Sequence, residues 1–415
     1  MGVIEQQAPD VREGGALAGI RVIDFSRMLP GPWCGQMLAD LGADVIKVEQ
    51  PEVGDLGRHN APNFVHGSVY FNTVNLNKRS IALDLKREAD QAIAQRLIES
   101  ADVVIESFRD GVPARLGIDY ERAREIKPDI IYCSITGFGH SGPWAAIPGH
   151  DLVIQSTTGI MAAGTPGPGA PAIPGHQSAD YAASSYAAIG ILAALHRRAA
   201  TGEGGYLDIS MFDSLFSMSN IVNGGALARA AGNDSTPEMA LWGGNPRYST
   251  YLTQDGKAVA VSLLETAVWR KFCALIGRED LIHEEETPRD RHTEHGERAT
   301  LYFKAISDLC LSRPRDELIA WMVARDMPIL PVYTPDEAIH GPQVRARHLV
   351  EWVDHPTEGR IPVLGNPLAR SGLLAQGRRP APDLGEHGAV VLAELAETQA
   401  RRVARRDDSH NGGYS

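Results

Sequence analysis

A surplus of basic charge is the first thing this sequence lacks. Its 40 Lys and Arg are outnumbered by 52 Asp and Glu, giving a formal net charge of −12. Proteins that neutralise a nucleic-acid backbone need a positive footprint, so nucleic acid is excluded as a bulk partner. A polyanionic small ligand would need a local basic patch set against this global field. Cysteine is scarce too: Cys34, Cys133, Cys273 and Cys310 stand far apart and form no CxxC pair. That spacing excludes a disulfide framework and a thiolate metal cage, and it fits a reducing, cytoplasmic setting. No apolar run is long enough to span a bilayer, so no membrane partner is expected. The opening stretch MGVIEQQAPDVREGG lacks the apolar core of a secretory signal, and Gln6 stands where N-myristoylation needs Ser or Thr.

Several signatures of common chemistry are missing as well. No GxGxxG follows the first strand-like run, which argues against a nicotinamide dinucleotide and a dehydrogenase. GxxxxGK[ST] is absent, and with it a P-loop; GxSxG is absent, and with it a serine-hydrolase elbow. His292 and His295 lie in the charged run DRHTEHGER, which reads as a solvated loop, and no metal is expected.

What is present is an alternation of strand and helix. RVIDF (21–25) is strand-like, Pro32 suits the first turn of a helix over Trp33–Leu41, and Gly42 suits its end. DVIKVE (44–49), IALDL (81–85), DVVIESF (102–108) and DIIYCSITG (129–137) repeat the pattern, with helical stretches between them. Short links between such elements predict an α/β fold, with a parallel sheet covered on both faces. GFGHSGPW (137–144) and GTPGPGAPAIPG (164–175) then break the rhythm, and a long apolar helix follows from Ser178 to Ala199. YSTYLTQDGKAVAVSLL reads as a hairpin turning at Asp255–Gly256, the start of a smaller α+β domain. The expected organisation is a loose extension over 1–16, a large domain from 17 to 224, a small domain over 225–325, a return segment over 326–398 and a frayed tail over 399–415.

LAGIRVIDFSRMLPGP, LADLGADVIKVEQP, NLNKRSIALDLK, ADVVIESFRDGVPARLGI and TGFGHSGPW, in that order, resemble the family III CoA-transferases. That group includes formyl-CoA transferase, the carnitine and bile-acid CoA-transferases and α-methylacyl-CoA racemase. The resemblance spans roughly 17 to 390. It implies a Rossmann-like large domain, a smaller domain, an interlocked homodimer, and an acyl-CoA and a carboxylic acid as substrates. It also implies that Asp180, opening the long helix, is the nucleophile. A carboxylate in the first turn of a helix meets the positive end of the dipole, which should keep it ionised.

By the same resemblance coenzyme A lies against Leu29 and Pro30, Gln50, Asn77, Lys78 and Arg79, and Ser107, Phe108 and Arg115. Cations suit its phosphates, and a loop ahead of a helix offers amide protons. Gln50 departs from the basic residue that some transferases carry there.

Two activities share this pattern. The racemases need opposed bases on one carbon, and Gly149-His150-Asp151 supplies a histidine where many transferases have tyrosine. Glu265, in SLLET, matches a racemase glutamate. Gln155 and the stretch MPILPVYTPDEAIHGPQVRAR are transferase-like, and CoA transfer is the preferred reading. The racemase and an inactive CoA-binding scaffold stay as alternatives.

Overall fold

Valine and isoleucine runs with few polar breaks build the strands here, because β-branched side chains fit a pleated surface covered on both faces. A computed structural model describes residues 14–164, 169–235 and 239–411, with side chains described to residue 400. Most of the expected N-terminal extension, and residues 412–415 of the expected tail, lie outside the described residues.

In chain order, β1 (Arg21–Asp24) leads into α1 (Pro30–Asp40), followed by β2 (Asp44–Glu49), α2 (Val69–Val74), β3 (Arg79–Ala82) and α3 (Glu88–Ser100). Then come β4 (Val103–Glu106), α4 (Val112–Leu116), α5 (Tyr120–Ile126) and β5 (Ile131–Thr136). The short α6 (Asp151–Thr157) and α7 (Ile160–Ala163) precede the long α8 (Ser178–Thr201), β6 (Gly205–Ser210), α9 (Met211–Met218) and α10 (Gly224–Ala230). β7 (Tyr248–Leu252), β8 (Ala258–Ser262), α11 (Thr266–Leu275), α12 (Ala299–Leu311), α13 (Arg315–Val323) and β9 (Ile329–Pro331) follow. The chain closes with α14 (Pro335–Ile339), α15 (Pro342–Arg347), β10 (Val350–His355), β11 (Gly359–Leu364) and α16 (Gly388–Asn411).

The larger unit comprises the residues up to Thr158, Pro174–Met218 and the chain from Arg347 onward. Its six-stranded sheet runs β3-β2-β1-β4-β5-β6, with every pair parallel. Ile23 sits opposite Ile46 on one side and Val104 on the other, all fully buried. Strand order reverses between β1 and β4. In open parallel sheets, the crevice beyond the carboxyl ends of the strands at such a reversal is where ligands bind. The loops after β1 and β4 therefore frame the expected site.

The first helix begins earlier than its proline pattern suggested. Pro30, not Pro32, takes the first helical position, since its missing N–H costs nothing there. Gly42 adopts φ 99°, and a Cβ there would lie 1.8 Å from the Gly14 carbonyl oxygen, so only glycine ends this helix.

The smaller unit comprises Gly159–Ile173 and Ser219–Ala346. β7 and β8 are antiparallel around the Asp255–Gly256 turn, as the alternation suggested, with Gly256 at φ 74°. The unit ends later than the expected 325, because β9 pairs antiparallel with β8 instead of returning to the parallel sheet. Trp269, Phe272, Tyr302, Leu318 and Ile329 form its core. α16 runs through Asn411, into the expected tail, and Val391 and Leu395, ahead of that tail, pack into the large-unit core.

Candidate active site

The loop after β1 is held by buried carboxylates. Asp24, at the strand end, accepts the Ser26 amide proton at 3.0 Å and pairs with Lys78 Nζ at 2.9 Å. Lys47 Nζ donates to Ser26 O and pairs with Asp55, both at 2.8 Å. Asp55 accepts the Met28 amide proton at 3.0 Å, and Ser107 Oγ accepts that of Arg27 at 3.1 Å. Met28 sits at φ 67°, a conformation a side chain tolerates only when its neighbours fix it. The amides of Ser26, Arg27 and Met28 are thus already bonded within the fold, just ahead of the expected coenzyme A loop at Leu29–Pro32.

Several expected contacts with coenzyme A turn out to be internal. Lys78 is 2% exposed, bonded to Asp24, Pro32 O and Asn75 Oδ1. Asn77, at φ 65°, bonds Asp40 through its side chain and exchanges bonds with Arg379. Arg79 pairs with Asp44 and Glu394 at 2.7 Å each. Sequence shows these residues as a polar run; the sheet turns each toward a carboxylate or a neighbouring loop.

The remaining expected residues meet at two cavities. The first, of ≈ 550 Å³, is lined by Arg27, Lys47, Gln50, Lys86, Phe108 and Arg115 among others. The second, of ≈ 390 Å³, brings Leu29, Pro30 and Ser107 together with His150 and Asp180. Arg27 and Phe108 line both, with the Arg27 guanidinium 4.8 Å from the Phe108 ring centroid. Glu265 lies in the smaller unit, at the N-cap of α11, with Arg291 3.8 Å away.

Asp180 occupies the first turn of α8. The Ser184 hydroxyl sits between the carbonyl oxygens of Pro30 at 2.7 Å and Asp180 at 2.8 Å, tying this turn to the start of α1. Asp151 Oδ1 accepts the amide proton of Ala179 at 2.8 Å and that of Asp180 at 3.4 Å, so its side chain caps α8. Gln155 Nε2 steadies Asp151 at 2.5 Å and also donates to His176 O. The expectation that the helix dipole keeps Asp180 ionised does not hold: burial first, and the Asp151 charge second, push its carboxyl up to about 7. Desolvation outweighs the dipole, and the cap that would neutralise it is itself an anion. The Tyr70 hydroxyl, on the same cavity wall, is raised by burial and then by Asp180.

Sequence reasoning named Gly149-His150-Asp151 but gave Asp151 no role, and it passed over Tyr70, Arg109 and His140. All but Asp151 line the second cavity. Asp151 was findable as an acid preceding a second helix start; Tyr70 and Arg109 carry no sequence signal of their own.

A sequence model of CoA-transferase family III matches residues 17–388. The chain belongs to CoA-transferase family III. This family III enzyme is 36% identical over 395 residues to the succinate–glutarate CoA-transferase of Agrobacterium fabrum, covering 91% of this chain and 95% of that one. It is 32% identical over 426 residues to a formyl-CoA:oxalate CoA-transferase of Rhodopseudomonas palustris, covering 95% and 96%. Among solved structures, a CAIB/BAIF family protein from Brucella suis matches this transferase-family chain with TM-score 0.79 and 34% identity, over 92% of this chain and all of that one.

Proposed function

We propose that the chain moves CoA between an acyl-CoA thioester and a carboxylic acid, with Asp180 as the covalent carrier. One observation carries this reading: Asp180 opens a helix on the wall of a cavity at the β1/β4 reversal, with the loops after both strands on the same wall. In the first half, an Asp180 oxygen attacks the thioester carbonyl carbon and CoA leaves as thiolate, giving a mixed anhydride. The thiolate then attacks the Asp180 carbonyl, releasing the first acid as carboxylate and leaving an aspartyl-CoA thioester. The acceptor carboxylate attacks that thioester and displaces thiolate, which in turn takes the acceptor acyl group and frees Asp180. Each step forms one acyl bond as it breaks another, which divides one difficult exchange into easier ones. The activities for which those relatives are named, on succinate, glutarate, formyl-CoA and oxalate, support the choice.

In this reading the nucleotide end of CoA lies in the cavity of Gln50, Lys86 and Arg115, and the thioester passes Arg27 and Phe108 to reach Asp180. Two chains interlock as a homodimer, a state that exposed Ile189 and Leu192 on α8 and Phe216 and Met218 on α9 would help to bury. Sedimentation at the mass of one chain would overturn the dimer.

A second reading is favoured by His150 and Asp180 sharing one cavity, since a carboxyl near 7 suits proton transfer at neutral pH. Incubation with a 2-methylacyl-CoA in heavy water, without acceptor acid, separates the two. Rapid α-deuterium incorporation requiring His150 and Asp180 would make this a racemase. No incorporation, with CoA moving once succinate, glutarate or oxalate is added, is the expected result.

A further inference from the structure

The register of the parallel sheet aligns three polar residues at the carboxyl ends of its strands. Glu106 on β4 is the partner of Ser134 on β5, and Ser134 is the partner of Asp208 on β6. Glu106 is 1% exposed and Ser134 is fully buried. The Ser134 hydroxyl lies 2.8 Å from His140 Nε2, with Glu106 beside it in the sheet register. The His140 amide donates to Asp208 Oδ2 at 3.2 Å, so the residue is held by backbone and ring together. Its ring then stands on the wall of the cavity that contains Asp180 and His150.

We infer that His140, braced from behind by Ser134 at its ring and by Asp208 at its amide, seats the carboxylate of the acid substrate in the Asp180 cavity. This rests on the CoA-transfer reading given above. A hydroxyl has one proton to give; donated to Nε2, it leaves the ring proton on Nδ1. Nδ1 is then the nitrogen that faces a ligand. It lies 4.0 Å from Asp110 Oδ1, an exposed side chain on the same wall. A carboxylate arriving at Nδ1–H gains a hydrogen bond whose acceptor is ionised. Such a partner is needed because the acid enters a cavity that Asp110 also lines, and like charges in a confined site repel. A thioester carbonyl has no such requirement.

The groups facing His140 are Glu106 from β4, Asp110 from the following loop, Ser134 from β5, and Tyr206 and Asp208 from β6. Arg27 and Arg109 line the same cavity and add positive charge, but both are exposed. His140 is the ring donor on this wall with a buried hydroxyl behind it.

The test measures melting temperature on addition of glutarate or oxalate, without CoA, for the wild type, His140→Ala and His140→Gln. The wild type should rise with at least one acid, His140→Ala should show no rise, and His140→Gln should fall between them. An equal rise in wild type and His140→Ala would overturn the assignment, as would no rise in the wild type with either acid. In turnover with succinyl-CoA as donor, His140→Ala should raise KM for the acid about tenfold while KM for the acyl-CoA stays within about twofold. Equal changes in both would mark a merely structural role. Asp180→Ala is the separate control: turnover surviving that change would remove the transfer reading, whereas the acid-binding result stands on its own.

Discussion

Asp151 caps the helix that carries Asp180, and its charge opposes ionisation of the residue it holds in place. Position and proton affinity are set by one side chain. Asp151→Asn keeps an acceptor for the Ala179 amide and removes the charge. Turnover that needs ionised Asp180 should rise with pH through about 7 in the wild type. In Asp151→Asn that rise should move to lower pH, by about one unit, which a pH profile of kcat/KM reads directly. A uniform loss of rate with an unmoved midpoint would mean that Asp151 only holds the helix.

Stability carries the same information with the opposite sign. The Asp180 carboxyl is raised from an ordinary 3.8 to about 7, so folding is favoured below the lower value and loses this contribution as pH climbs through the upper one. Asp180→Asn, which has no charge to bury, should therefore melt higher than wild type at pH 8 and not at pH 4. The gain should be on the order of 2 kcal/mol once solvent screening at a part-buried site is allowed for. Identical pH dependence of melting in the two proteins would refute it. The same variant should retain CoA binding and lose at least about 99% of turnover, if covalent catalysis runs through this carboxylate.

Lys78 and Arg115 should separate cleanly. Lys78→Ala leaves Asp24 buried without its partner and should cost about 3–5 kcal/mol, seen as loss of folded protein or a much lower melting temperature. Arg115 is exposed on the wall of the larger cavity, so Arg115→Ala should melt like wild type and weaken CoA binding more than it slows the chemical step. Unchanged CoA affinity would take Arg115 out of the site.

Gly31→Ala tests the tightness of the β1–α1 junction. An added methyl would lie 2.1 Å from Ser26 Oγ, whose carboxylate partner is buried. Displacing it should destabilise by about 1–3 kcal/mol, measured by denaturant midpoint.

The parallel sheet was legible because its strands are apolar runs bounded by helix signals; the long helix after the Gly/Pro-rich stretch was legible too, whereas Asp180 was singled out by the family resemblance. Burial was not. Lys78 reads as a surface cation next to Arg79, and only the strand pairing that brings Asp24 beneath it shows otherwise. β9 reads as one more apolar strand, and nothing local says that it pairs with β8. His140 sits in GFGHSGPW, a stretch that looks like a turn; its meaning comes from the register that sets Ser134 beside Glu106. Charge on a buried aspartate is likewise a property of its surroundings, so the helix-dipole argument pointed the wrong way.

The bonded amides of Ser26, Arg27 and Met28 have a consequence for how ligand entry can be watched. Their protons point into carboxylates and a hydroxyl, so they should exchange slowly with deuterium even in the free protein. Protection gained on adding acyl-CoA would then be small at this loop, although it lines the cavity. The informative amides will be those of the facing segments, residues 107–111 and 137–150, other than Phe108, Gly139, His140, Ala145 and Ile147, which are already bonded.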